Sequence, residues 1–236
     1  MTVPSDLPPS YAGSFGLCQS ALSIRIADQW IWRKRMGLHI DYYASLNSPW
    51  THLGAARIEA MAMAHGASLR IYPVDFTEIF ANSGGFPLPK RSSQRRFYRM
   101  QELARWRDHL GIPIHPEPKF FPSSEALTSG CVIALRETVG DQPAIKLAHR
   151  VLKALWQEEK NPADPATLAS FITEIGLDAD QVMKLGAEPR WAERRVADTK
   201  WALERNVFGA PSYVIGEEIF WGQDRLEFVQ RRLARG

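Results

Sequence analysis

Val207-Phe208-Gly209-Ala210-Pro211-Ser212-Tyr213 decides more of the architecture than any other stretch of the chain. It closes a long helical region, and Ser212-Tyr213-Val214-Ile215 follows as a strand. A proline can open a strand because its first residue needs no ladder donor. Gly216-Glu217 turns the chain into a second short strand, Glu218-Ile219-Phe220, and a last helix is expected from about Gln223 to Leu233. Far upstream, Leu38 to Tyr43 alternates and is rich in β-formers, so it reads as a strand. Ser48 lies at the following turn, with Pro49 at a favourable first helical position. Leu53, Ala56, Ala60, Met61 and Ala64 recur at helical spacing, and Gly66 is a natural stop. Ser68 to Val74 is a second strand, so the unit is two parallel strands joined by a crossover helix.

A Gly/Pro-punctuated loop, Asn82 to Pro89, leads away from these strands. Helical patterns then follow at Phe97 to Trp106, Leu127 to Leu135, Ile145 to Trp156, Pro165 to Ile175 and Trp191 to Arg205. They are interrupted by Gly111-Ile112-Pro113 and the proline-rich Pro116 to Pro122. The expected class is α/β, a sheet opened by a large all-helical insertion and closed by a hairpin and helix. The expected division is an N-terminal extension at 1–37, a sheet domain from 38–89 and 207–236, and the insertion at 90–206. Pro4, Pro8, Pro9 and Ser10 suggest a loose arm, while Ser23 to Ile26 and Trp30-Ile31-Trp32 are too apolar to stay solvated. The extension is read as packing on the body; the rival reading starts translation at Met36.

At 236 residues the chain can bury a substantial core, and its 45% hydrophobic and 23% charged content is that of a soluble globular protein. A formal charge of +3 is too small to argue for nucleic acid. Cys18 and Cys131 have neither metal-ligand nor CxxC spacing, so no metal site is expected and a reducing, cytoplasmic compartment is the simpler setting. No apolar run reaches the roughly 18 residues of a membrane span, and no secretory signal pattern opens the chain.

The Gly-Ala-Pro loop resembles the cis-proline loop of a thioredoxin-type fold, and Ser48-Pro49-Trp50-Thr51 stands where a disulfide-exchange relative carries Cys-Pro-Trp-Cys. Asn47-Ser48-Pro49, then Leu103-Ala104-Arg105-Trp106 with Gly111-Ile112-Pro113, then Val207 to Arg225 with Phe220-Trp221-Gly222-Gln223-Asp224-Arg225, follow one another at matching spacing. In that order they resemble the 2-hydroxychromene-2-carboxylate isomerase family, close kin of kappa-class glutathione transferases and more distant kin of DsbA-like oxidoreductases. The resemblance runs from about Leu38 to the C-terminus and implies a thioredoxin-like sheet with a helical insertion. Thiol exchange needs a thiolate nucleophile, which neither Ser48 nor Thr51 supplies. The resemblance therefore implies that sulfur arrives on glutathione.

It implies further that the Ser48 hydroxyl donates to the glutathione sulfur and holds it as thiolate, helped by the helix N-terminus. The plainer reading makes Ser48 an N-cap. Ala210 and Pro211, in cis, would pair with the cysteinyl part of glutathione, and Trp221, Gly222, Gln223 and Asp224 would meet its γ-glutamyl end. Asp224 also reads as an acidic first-turn residue. The family carries a substrate-holding lysine in the loop after the second strand, but Thr77 to Asn82 contains none. Lys90 or Arg91 is the expected substitute for binding a substrate carboxylate, and Phe120 stands where a tyrosine is usual.

The basic run Lys90, Arg91, Arg95, Arg96, Arg99, Arg105, Arg107 reads as a solvated helix face or an anion pocket. Nucleic acid ranks third, because Phe97, Tyr98 and Trp106 sit at core-like spacing. His52 reads either as an acid/base group or as a half-exposed helix residue. The resemblance implies a glutathione-dependent isomerase of an unsaturated aromatic-derived carboxylate. The rivals are a kappa-type transferase and a non-catalytic thioredoxin-fold binding module. The expected partner is a small molecule, with a homodimer allowed and neither membrane nor nucleic acid.

Overall fold

A computed structural model describes residues 38–236; the proposed N-terminal arm, the Met36 start and Cys18 lie outside the described residues. The strands are β1 (His39–Ala44), β2 (Ser68–Pro73), β3 (Ser212–Ile215) and β4 (Glu218–Trp221). They form one sheet in the order β2-β1-β3-β4. β1 and β2 are parallel, while β3 is antiparallel to both β1 and β4. The helices are α1 (Pro49–Ala64), α2 (Phe76–Ser83), α3 (Ser93–Leu110), α4 (Ala126–Thr138) and α5 (Asp141–Gln157). After them come α6 (Pro165–Glu174), α7 (Ala179–Gly186), α8 (Pro189–Glu204) and α9 (Leu226–Leu233). Helices thus fill the chain between β2 and β3, and the expected α/β class with a helical insertion is what the fold shows. Among the described residues no helix is long and apolar enough to cross a membrane.

The period-two pattern of the strands divides the core. Ile40, Tyr42, Ala44, Leu69, Ile71, Tyr213 and Ile215 face one cluster with α1, α4, α5 and α9. Tyr43, Tyr72, Val74 and Val214 face the other, with Phe76, Ile79 and Ala202 from α2 and α8. Because successive side chains point to opposite faces, apolar residues cover both faces toward the ends of β1 and β2, while polar residues His39, Asp41, Ser68 and Arg70 alternate at their starts. Tyr42 is paired directly with Tyr213 across β1–β3, their rings stacked at 5.2 Å; such cross-strand pairs set register.

Four sequence expectations need correction. Thr77 to Asn82 is not a loop but most of α2, which Asp75 caps by accepting from the Thr77 N–H at 2.8 Å and Gly84 ends in the left-handed region at φ 72°. α7 was not expected at all. Gln223–Arg225 is a separate 3₁₀ turn before α9 rather than its first turn. Phe97 and Tyr98 are 67% and 57% exposed, not core residues. On α3 it is Met100, Leu103, Trp106 and Leu110 that face the interior, and the first turn of the helix projects past the end of that stripe.

Candidate functional site

Topology gathers the site. β1 and β2 are parallel, so both end at the same side of the sheet, while β3 begins and β4 ends there. Ser48 follows β1, Ala210-Pro211 precedes β3, and Trp221 to Asp224 close β4. Seven of the residues named from the sequence therefore share one end of the sheet. The Ala210–Pro211 peptide is cis, as expected, and so is Phe121–Pro122, which the sequence did not flag.

Ser48 is the N-cap of α1, its Oγ accepting from the Thr51 N–H at 3.2 Å. That bond uses a lone pair and leaves the hydroxyl proton free, so capping and donation to a ligand are compatible roles. No acidic residue occupies the first turn of α1, and its positive end is not offset from within the helix. The residues before Ser48 are held by a partly buried carboxylate. Glu125 Oε1 accepts from the Ser45 hydroxyl and the Asn47 backbone N–H, both at 2.8 Å, and from the Asn47 amide at 3.1 Å. Asn47 also donates to the Ser123 carbonyl and accepts from its N–H. Arg195 pairs with the other oxygen of Glu125 at 2.7 Å and donates to the Pro73 and Val74 carbonyls at the end of β2. Burial raises the Glu125 pKa, with Arg195, Ser45 and Asn47 opposing it. One ion pair thus fixes the ends of both parallel strands, and neither Glu125 nor Arg195 stood out in the sequence.

On the other side, Gln223 is buried, its side-chain and backbone carbonyls accepting from Arg57 at 2.6 and 3.2 Å. This requires glycine at position 54, where a Cβ would sit 2.6 Å from Tyr213 Oη and 3.1 Å from Gln223 Cβ. Gly209 has a similar role, since a Cβ there would run into the Trp221 indole. Trp221 is exposed and lies against Phe208, ring centroids 4.8 Å apart. Asp224 is exposed and paired with Arg225 at 2.8 Å. The Pro211 carbonyl accepts from the Gly222 N–H, but among the described residues neither the N–H nor the C=O of Ala210 has a partner.

The residues expected to meet substrate come from the segment after α2 and from the loop after α3. Lys90 is exposed at the end of a 3₁₀ turn, Leu88–Lys90. Arg91 donates to the Phe86 carbonyl at 2.8 Å and lies over the Phe80 ring, which packs in the same cluster as Ala210. Phe120 is partly buried beside Trp50, Met100 and Phe121, with the Lys119 ammonium 5.2 Å from its ring centre. A cavity of about 420 Å³ lies between α3 and Pro116–Phe121. A larger one, about 620 Å³, lies between Asp75, α4 and α8 and is lined by none of the candidate site residues expected from the sequence.

His52 is not the half-exposed helix residue of one reading, because it is 7% exposed. Its Nε2 accepts from the Gln157 amide at 3.0 Å, it bonds the Pro113 backbone, and burial lowers its pKa to about 4. The unfolded chain binds the extra proton near 6.5 and the folded protein only near 4. Stability is therefore full above about 6.5 and falls as pH drops toward 4, by roughly 3 kcal/mol. Urea unfolding between pH 4 and 7 should show this slope, and His52→Gln should flatten it; an unchanged slope would assign the acid sensitivity elsewhere. Cys131, the one cysteine among the described residues, is buried in α4, its thiol pushed up to about 12. It is no nucleophile.

A thioredoxin-type sheet, a capped Ser-Pro helix start and a cis-proline loop together define the class. The chain belongs to the DSBA-like thioredoxin domain family, whose model matches residues 39–234. It is similar to 2-hydroxychromene-2-carboxylate isomerase of Sphingobium xenophagum, 29% identical over 196 residues that cover 82% of this chain and 97% of the relative. The enzyme of that name from Pseudomonas putida is 26% identical over 198 residues, covering 83% and 94%. A solved 2-hydroxychromene-2-carboxylate isomerase superposes with a TM-score of 0.70 at 26% identity, covering 84% of this chain and 95% of that one. The resemblance read from the motifs thus holds over nearly all the described residues, and relatives that are isomerases support an enzyme.

Proposed function

We propose that this protein is a glutathione-dependent isomerase of an unsaturated aromatic-derived carboxylate, of the 2-hydroxychromene-2-carboxylate isomerase kind. The observation that carries the reading is the Ser48 hydroxyl, which caps α1 through a lone pair and keeps its proton free at the end of the sheet shared with Ala210-Pro211. The residues fit glutathione on two independent counts. A hydroxyl donor at a helix N-terminus suits a sulfur anion, and the unpaired backbone groups of Ala210 suit an extended peptide-like ligand. When bound, glutathione supplies a thiolate that adds reversibly to a conjugated carbon, so that a double bond becomes single, rotates and re-forms as sulfur leaves.

Ser48 donates to that sulfur and lowers its proton affinity. Ala210 orients the ligand backbone, and the Glu125–Asn47 network holds the chain just before Ser48. The protein's part is orientation and charge stabilisation. Millimolar glutathione should raise the melting temperature, with stabilisation following RT ln(1 + [L]/Kd), about 2.7 kcal/mol at a hundredfold excess over Kd. Unchanged melting, with no heat of binding by calorimetry, would sink the reading in favour of a non-catalytic module. Glutathione consumed in proportion to product would instead make it a transferase.

A further inference from the structure

Arg99 differs from its neighbours. The other buried or partly buried arginines among the described residues each hold an oxygen. Arg70 takes Glu137 and Asp141, Arg136 takes Asp198, Arg150 takes Glu158, Arg195 takes Glu125, and Arg57 takes Gln223. Arg91, Arg107, Arg194, Arg205 and Arg232 likewise donate to a carbonyl or carboxylate. Among the described residues Arg99 reaches only the Met100 sulfur, at 3.7 Å. Its guanidinium lies 5.7 Å from the Phe121 ring centre and 5.9 Å from that of Trp156.

A half-buried guanidinium with no oxygen acceptor among the described residues has donors left free for a ligand. Its planar fork is shaped for a carboxylate. Burial first, and then Arg91, bring its pKa down to about 10, so it remains charged at neutral pH. Arg99 lines the 420 Å³ cavity with the apolar Leu88, Phe97, Met100, Pro118 and Phe121, walls that suit a flat apolar body, and with the charged Arg96, which is exposed, and Glu117. Phe121 and Met100 pack in one cluster with Trp50, in the first turn of α1 two residues beyond Ser48. Two of the cavity's lining residues thus belong to the same apolar cluster as the helix start that carries the serine.

We propose that this cavity is the carboxylate end of the substrate site, with Arg99 the specificity-determining residue that pairs with the carboxylate of an aryl-conjugated acid. It takes the role first expected of Lys90 or Arg91, which lie exposed or tied to a carbonyl. The identity of the reacting end rests on the isomerase reading, whereas recognition of the acid does not.

The test uses trans-cinnamate and its methyl ester as probes, titrated by calorimetry or by tryptophan fluorescence into the whole chain. The wild type should bind the acid about ten- to a hundredfold more tightly than the ester, the span of a charge-assisted bond. Arg99→Met should bring the acid down to the level of the ester without changing the ester. Arg99→Lys, which keeps the charge and loses the fork, should fall between. Equal affinity of the wild type for both probes, binding of neither, or a preference that survives Arg99→Met would each overturn the proposal. Should Arg99→Met fail to fold, the wild-type preference and Arg99→Lys decide. Glutathione protection measured alongside separates the two readings. Protection without acid preference overturns this proposal alone, and Arg99-dependent acid preference without protection overturns the isomerase reading alone.

Discussion

Replacing Asp198 with alanine should destabilise the protein by about 3–5 kcal/mol, the usual result of removing one partner of a buried ion pair. Its partner Arg136 is wholly buried, and Asp198 is only 5% exposed on its side chain. Arg136 donates to Asp198 at 2.6 Å and to the Ile71 carbonyl in β2 at 3.0 Å, while its guanidinium lies 4.6 Å from the Tyr72 ring centre. Asp198 takes a second bond from Arg194 at 2.8 Å. Without the Asp198 carboxylate, Arg136 is a buried charge between β2 and α8 left with one carboxylate, Glu137 at 2.8 Å, which Arg70 also engages. The melting temperature should fall by roughly 6–20 °C for a domain of this size. The double variant Arg136→Met with Asp198→Leu should recover much of the loss, because apolar replacement of both partners removes the desolvation penalty. A loss below about 1 kcal/mol for Asp198→Ala would mean that water reaches the pair.

What could be read from the chain, and what could not, follows from the range of the interactions involved. The strands are legible because period-two alternation is local, and β1, β2 and β3 each send alternate residues into two different clusters. Ser48 and Pro211 are legible because a serine-proline helix start and a proline-led strand are local devices. α2 was hidden behind Asn82-Ser83-Gly84-Gly85, which reads as loop, although Asp75 as cap and Phe76, Ile79 and Phe80 at helical spacing were signals available for it. His52 was misread because α1 is covered on several sides, by the sheet, α3, α5 and the 223–225 turn, so helical spacing there marks no solvent face.

The supporting pairs were out of reach for a different reason. Glu125 meets Asn47 across 78 residues and Arg57 meets Gln223 across 166. Such pairs leave no local pattern. Arg99 was visible only as one of a basic run. What sets it apart is the missing acceptor, a property of the surroundings and not of the residue.

Ser48→Ala should leave the fold and most glutathione affinity in place and raise the pKa of the bound thiol. A hydrogen bond to an anion contributes about 1.5–3 kcal/mol, so that pKa should rise by roughly one to two. The rate at neutral pH should fall about ten- to a hundredfold, with partial recovery at higher pH, where the thiol ionises without help. The same substitution removes an N-cap, because Ser48 Oγ is the acceptor for the Thr51 N–H, and should cost about 1 kcal/mol of stability at every pH. The two losses can be separated. Ser48→Gly gives up the hydroxyl but weakens the cap by only a few tenths of a kcal/mol, so it should match Ser48→Ala in rate and pH profile while melting closer to the wild type. Ser48→Thr keeps both the cap and the donor and should retain most activity. If Ser48→Ala and Ser48→Gly both turn over at the wild-type rate with an unchanged pH profile, the serine is a helix cap alone and the thiolate must be stabilised by the backbone N–H groups of the helix start.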